Sequence, residues 1–338
     1  MTDNTLAKEI IPPDEIEATR DLAARLQAKI IRDNPTGIMR RDAHPKMHGV
    51  VKAEFIVEPN LPAELQIGIF SQPQTYQAWI RFSNQDGTIQ PDKSRDIRGM
   101  AIKLMGVPGD KLLPAEQNAQ TQDFIVISTN VFVTKNVTEF DALIKAMTGS
   151  ILAKICFFAT HWRVIWNLVT SLKKFSNPLQ MRYWSTTPYL FGNTAVKYSA
   201  IPHQTDDDSP ADISNPDYLR LAMVQQLSTR EAVFDFTVQL QIDANSMPIE
   251  DPGKEWKESL SPFRKVATIR IPPQQFDSET QRTFGENLSY TPWHSLPAHR
   301  PLGGINRARK IVYDAISTFR HERNNVPRRE PTSWEIPK

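Results

Sequence analysis

The sequence predicts an α+β fold, and three observations carry that prediction. Apolar residues alternate in strand fashion through 50–128, and again at 234–242 and 266–271. Helical apolar spacing marks 13–32, 138–175 and the segment after Gly303-Gly304. The chain is long, at 338 residues, and 40% hydrophobic, so a packed core is expected and whole-chain disorder is not.

In order, residues 13–32 place Ile16, Leu22, Ala23, Leu26 and Ile30 on one helical face, with Thr19 as its polar exception. The run Asp33-Asn34-Pro35-Thr36-Gly37 ends that helix. In 77–83, Trp79, Arg81 and Ser83 fall on one strand face, and Ile80 and Phe82 on the other. Strands follow at 97–105 and 124–127, separated by turn residues such as Pro108-Gly109-Asp110. Residues 151–172 are apolar and aromatic, interrupted by Lys154, His161 and Arg163, which argues against a membrane span. The ordinary reading of this stretch is a buried helical insertion; the sharper one is a membrane-surface or lipid-access element. Residues 203–216, with Asp206-Asp207-Asp208, read as a loop. This gives an N-terminal helical arm at 1–36, a main domain at 37–324 with a helical insertion at about 148–180, and an extended tail at 325–338.

Charge and cysteine content narrow the function. A net charge of +2, from 40 basic and 38 acidic residues, gives no reason to expect nucleic acid. The single cysteine, Cys156, excludes internal disulfides and cysteine-rich metal sites. The start MTDNTLAKEI carries no secretory pattern, and a cytoplasmic location is expected.

Two segments concentrate reactive residues. In RPLGGINRARKIVYDAISTFRHER (300–323), Arg309, Tyr313, Ile316 and Arg320 share one helical face. A tyrosine binds ferric haem as the phenolate, and a guanidinium one turn away favours that charged form. Arg320 is spaced to grip a carboxylate with a forked pair of bonds. Taken alone, Arg-x-x-x-Tyr is most often a solvated pair. In MRRDAHPKMHGVVKAEF (39–55), Arg41 and His44 precede a strand. A histidine there is ordinarily a hydrogen-bonding residue, and Arg81 beside Trp79 ordinarily a buried ion pair, with a cofactor carboxylate as the alternative.

Together these pieces resemble the haem catalases. Arg41, His44 and Lys46 in RDAHPK match the family's Arg-x-x-His-Ala-Lys motif, with Pro45 replacing the alanine. Arg81-Phe82-Ser83-Asn84 is similar to its Arg-Phe-Ser-Thr, and Asp96-Ile97-Arg98-Gly99-Met100-Ala101 to its Asp-Val-Arg-Gly-Phe-Ala. The run from Glu286 to Pro292 resembles Glu-Gln-x-Ala-Phe-Ser-Pro, and Arg309, Tyr313 and Arg320 match the Arg-x-x-x-Tyr helix with its propionate-binding arginine. The five matches keep the family's order across most of 40–323.

The resemblance implies a closed antiparallel β-barrel with helices packed outside, a heme b cofactor and Tyr313 as the iron's axial ligand. It implies His44 as the acid–base group on the opposite face, and Arg41, Arg81 and Arg320 as holders of the propionates. Ser83, Gly99 and Phe140 become expected cofactor neighbours. Spacing from Arg41 selects His44 over His48, while His161, His294 and His299 are expected to be structural. The family's distal asparagine aligns with Ser128, with Asn130 two positions off, so hydrogen peroxide disproportionation is expected to be weak. The chain is shorter than large catalases, and a wider, more apolar access route would suit bulky organic peroxides.

The activity expected is therefore a haem peroxidase of the short catalase-related kind, acting on hydrogen peroxide or organic hydroperoxides, with Arg309 assisting catalysis. Rearrangement of a fatty-acid hydroperoxide, as in the related allene oxide synthases, and non-catalytic haem binding are the alternatives. Peroxide and a small organic or lipid substrate are the expected partners. Peripheral membrane contact and a homo-oligomer are both kept open.

Overall fold

The computed structural model describes residues 5–205 and 212–336. The loop expectation for Asp206-Asp207-Asp208 lies outside the described residues. Strands β1 (Met47–Val57), β2 (Thr75–Asn84), β3 (Arg98–Met105) and β4 (Thr121–Ile127) form an antiparallel meander. Helices α2 (Val137–Thr148), α3 (Ile151–Thr160) and α4 (Trp162–Ser171) follow, then β5 (Tyr183–Trp184), β6 (Tyr189–Phe191) and β7 (Thr194–Pro202). Helix α5 (Tyr218–Leu227) leads to β8 (Ala232–Leu240) and β9 (Arg264–Ile271). Helix α1 (Glu15–Asp33) precedes β1, and α6 (Glu279–Asn287) and α7 (Gly304–Asn324) end the fold.

The sheet runs β5-β4-β3-β2-β1-β9-β8-β7-β6, and a further pairing of β5 with β7 closes eight of these strands into a barrel. Closure rests on Tyr183 opposite Ala200 and Trp184 opposite Ser199. The alternation in the sequence becomes inside and outside. Val51, Phe55, Ile80, Phe82, Ile102, Phe124, Phe234 and Phe236 fill the barrel. Phe236 meets Phe55 and Phe124 at centroid separations of 5.1 and 5.0 Å. Trp79, Arg81 and Ser83 consequently point outward.

Several sequence expectations change. The strand expected at 234–242 runs Ala232–Leu240, leaving Ile242 exposed. On α1, Thr19 is buried because its hydroxyl donates to Glu15 O, while Ile16 is 56% exposed. The N-terminal helix packs on α7 and α2, with Leu22 and Leu26 in a shared apolar cluster with Ile305, Ala308 and Val312. The tail lies along the barrel's outer face, where Trp334 Nε1 donates to Ala78 O and Glu330 reaches buried Lys103 at 2.6 Å. The stretch from 151 is two helices meeting at His161, and the buried reading of it fails. Ile151, Leu152, Trp162 and Trp166 are each at least 66% exposed, because the opposite face meets the cluster beneath, through buried Phe157 and Val164 and half-buried Phe158 and Leu168.

Candidate functional site

A cleft outside the barrel collects all but one of the expected site residues. It lies between the outward faces of β2, β3 and β4 and the helices α1, α2 and α7. Arg41, His44, Arg81, Ser83, Gly99, Phe140, Arg309, Tyr313 and Arg320 line it together. Residues 269 positions apart, His44 and Tyr313, thus share one cavity.

The barrel register builds the His44 side. Ser83 on β2 pairs with Gly99 on β3. His44 lies against this pair, its Nδ1 2.9 Å from Ser83 Oγ. A side chain at position 99 would intrude on the imidazole, since a Cβ there stands 2.5 Å from Cε1 and 2.7 Å from Nδ1. His44 adopts φ of +62°, a left-handed conformation that is costly for a residue with a side chain. Its N–H donates to Gln85 O at 3.1 Å and its carbonyl accepts from Arg81 Nη2 at 3.0 Å, which holds it there. Burial pushes its pKa down to about 3, assisted by the positive charges of Arg81, Arg309 and Arg41. The imidazole is therefore neutral at physiological pH.

Helix α7 builds the other side. Arg309 Nη2 donates to Tyr313 Oη at 3.1 Å, and its guanidinium carbon sits 5.0 Å from the ring centroid. Buried Asn306, one turn earlier, accepts from Arg309 Nη1 at 3.2 Å. The helix start is fixed by Arg307, which bonds Glu15 through two nitrogens and also reaches Glu9 and Glu250. This clamp joins α7 to residues about 290 positions away, and no local pattern in the sequence announces it.

Three guanidinium groups converge at one edge of the cleft. Arg41 Nη1 donates to Glu286 Oε1 at 2.9 Å, and Arg41 also donates to Leu288 O. Arg81 lies 3.6 Å from Glu286 Oε2, and Arg320 Nη1 donates to Glu286 O at 2.8 Å. Burial and the charge of Arg41 lower the pKa of both Arg81 and Arg320 to about 9. Three positive charges thus face one carboxylate. Arg81 Nε and Tyr290 Oη are both buried without a hydrogen-bond partner, and both residues line the cleft. Such orphaned donors, beside a surplus of two positive charges, describe a receptor for carboxylates.

Ser128 does not join the cleft. Its Oγ accepts from Arg98 N at 2.9 Å and its N–H donates to Arg98 O, which continues the β3–β4 ladder. Thr129, one residue later, lines the cavity with Val131 and Phe132. His48 is also elsewhere, buried with Nε2 2.6 Å from Asn84 Oδ1 and near Asp92. His299 packs in the barrel against Phe70, and His294 contacts Thr121 and Glu116. His161 stacks on Phe157 at 4.0 Å.

Comparison with solved structures assigns the architecture. A fungal catalase superposes with a TM-score of 0.69 at 17% identity, over 87% of this chain and 62% of that one. Catalase A from Saccharomyces cerevisiae gives 0.68 at 18%, over 87% and 64%. A bacterial catalase gives 0.64 at 16%, over 92% and 64%. The chain has the catalase fold. It spans less than two thirds of the length of each of these catalases. No family model matches the chain, and no curated protein does. Among the described residues, no helix is long and apolar enough to cross a membrane.

Proposed function

We propose that this catalase-fold chain is a haem-dependent hydroperoxidase, with heme b held in the cleft between His44 and Tyr313. The observation that carries this reading is the placement of Tyr313, gripped by Arg309, in one cavity with His44 and three converging arginines. The residues fit the cofactor: Tyr313 Oη is an oxygen ligand of the type that ferric haem takes, and Arg309 favours its charged form. Arg41, Arg81 and Arg320 match two propionates in charge, and Arg81 Nε is free to donate to one of them. Apolar Ile125, Ile127, Val131, Phe140 and Val312 suit the porphyrin faces. When bound, haem supplies the redox chemistry of peroxide cleavage.

The chain's own part is proton transfer and positioning. His44 Nδ1 donates its hydrogen to Ser83 Oγ in the tautomer that leaves Nε2 bare. Nε2 then takes the proton from the attacking peroxide oxygen and returns it to the departing oxygen. Such a group contributes about 10²–10⁴-fold to rate. No asparagine lines the cleft among the described residues; Thr129 and the apolar wall of Val131, Phe132 and Ile144 stand there instead. That wall favours organic hydroperoxides over hydrogen peroxide disproportionation. It equally favours rearrangement of a lipid hydroperoxide, which needs no external reductant.

The test is the absorption spectrum of the haem-loaded protein, followed by hydrogen peroxide and then an alkyl hydroperoxide. Reaction with the alkyl hydroperoxide, lost in His44→Ala with haem still bound, supports the reading. A haem-loaded protein inert to both peroxides overturns it. Turnover of a fatty-acid hydroperoxide without any donor assigns rearrangement instead.

A further inference from the structure

Helices α3 and α4 are amphipathic the wrong way round for a free surface. Among the described residues, eight of the nineteen exposed large hydrophobic side chains fall between positions 147 and 169. On α4, Trp162, Trp166 and Val169 follow i, i+4, i+7 spacing and are 75%, 66% and 62% exposed. On α3, Ile151, Leu152 and Ile155 are 77%, 68% and 60% exposed. The opposite faces bury only Phe157 from α3, and Val164, Asn167 and Ser171 from α4. Exposed apolar side chains gathered in this number on two consecutive helices mark an interaction site.

The charges around it identify the occupant. No aspartate or glutamate occurs from 142 to 205, whereas Lys145, Lys154, Arg163, Lys173 and Lys174 are all present. Arg163 is committed to Asp251 and Lys145 to Asp141. Lys154, Lys173 and Lys174 have no carboxylate partner among the described residues. Exposed tryptophans and aliphatic side chains, on a segment whose lysines Lys154, Lys173 and Lys174 lack a carboxylate partner, match the chemistry of a lipid headgroup layer. A protein partner of ordinary mixed charge requires no such one-signed set of free charges.

We propose that α3 and α4 dock this chain onto the surface of an anionic lipid bilayer. Trp162, Trp166, Ile151 and Leu152 enter the headgroup boundary, and Lys154, Lys173 and Lys174 meet acidic headgroups. The helices lie on the surface and do not span it. The proposal stands apart from the peroxide reading, since binding is measured without haem or peroxide. Where both hold, Phe132 and Phe140, which underlie these helices and wall the cleft, place the bilayer beside the apolar side of the cavity.

The experiment is sedimentation of the full chain with vesicles of phosphatidylcholine alone or with one-third phosphatidylserine. Tryptophan quenching by brominated acyl chains is read on the same samples. Binding at least roughly tenfold stronger to the anionic vesicles, weakened by salt and accompanied by quenching, is expected. The pair Trp162→Ser and Trp166→Ser, at exposed positions, is expected to lower binding about tenfold with an unchanged circular dichroism spectrum. Lys154→Glu with Lys173→Glu and Lys174→Glu is expected to abolish the anionic preference. Absence of wild-type binding, or binding untouched by either set, overturns the proposal. So does a wild-type dimer that the tryptophan substitutions dissociate while vesicles capture nothing.

Discussion

Gly99 provides the space that the His44 ring occupies: a Cβ at position 99 would stand 2.5 Å from His44 Cε1 and 3.1 Å from Ser83 Oγ. Gly99→Ala must therefore displace the imidazole or the strand beneath it. Overpacking of this sort costs about 1–3 kcal/mol. The expected outcome is a lowered unfolding midpoint and a peroxide reaction slowed about 10²-fold, with haem still bound. An alanine variant as fast and as stable as the wild type contradicts the placement of His44. Stopped-flow absorbance and chemical unfolding check the two effects.

Within the cleft, Ser83 Oγ reaches His44 through the 2.9 Å contact at Nδ1. Ser83→Ala leaves the ring free to change tautomer or tilt. The expected loss is roughly tenfold in peroxide rate and about 1 kcal/mol in stability. Ser83→Thr, which restores the hydroxyl, should recover most of the rate. Single-turnover mixing with an alkyl hydroperoxide checks the series.

Among the described residues, Glu286 is the carboxylate that faces Arg41, Arg81 and Arg320, and their charges hold its pKa below the usual range against its burial. Removing that charge leaves three buried cations unbalanced. Glu286→Gln is expected to destabilise the haem-free chain by about 2 kcal/mol and the haem-loaded chain by less, because propionates replace the lost charge. Thermal unfolding of both forms makes the comparison. Equal losses in the two forms would place the propionates elsewhere.

Acid sensitivity follows from the buried histidines. Burial lowers the pKa of His48 to about 4, although Asp92 and Asn84 pull upward, and that of His299 to about 3. Above the ordinary histidine pKa of 6.5 both states are neutral and nothing changes. As pH falls below it, the unfolded chain takes protons that the folded chain refuses. Stability then declines by up to about 1.4 kcal/mol per pH unit for each group, until the folded pKa is reached. Burial also raises the pKa of Asp123, which opposes this fall as pH drops toward the ordinary carboxylate range. Urea unfolding at pH 7, 5.5 and 4.5 is expected to show a net fall. The peroxide reaction should meanwhile stay level over the same span, because His44 remains neutral down to about 3.

Much of the site is legible in the sequence because its chemistry is local. Arg309, Tyr313 and Arg320 share a helical face, and helical spacing carries through to the structure unchanged. Strand alternation likewise separates Arg81 and Ser83 from Ile80 and Phe82. What the sequence hides is non-local. Barrel closure depends on a two-residue strand at Tyr183–Trp184, too short for any periodicity. Ser128 turns onto Arg98 and away from the cleft because the β3–β4 ladder continues one residue past β4. The exposure of Trp162 and Trp166 is also invisible in composition, since buried and exposed apolar helices read alike.

Tyr313 as the proposed ligand of haem iron is tested most directly by a spectrophotometric haem titration of the wild type beside Tyr313→Phe, a substitution that removes one oxygen and leaves the ring. The expected result is one haem per chain with a high-spin phenolate-type ferric spectrum in the wild type, and loss of that spectrum with greatly weakened binding in the variant. Identical spectra and affinities in the two proteins, or no haem binding by the wild type, would contradict it.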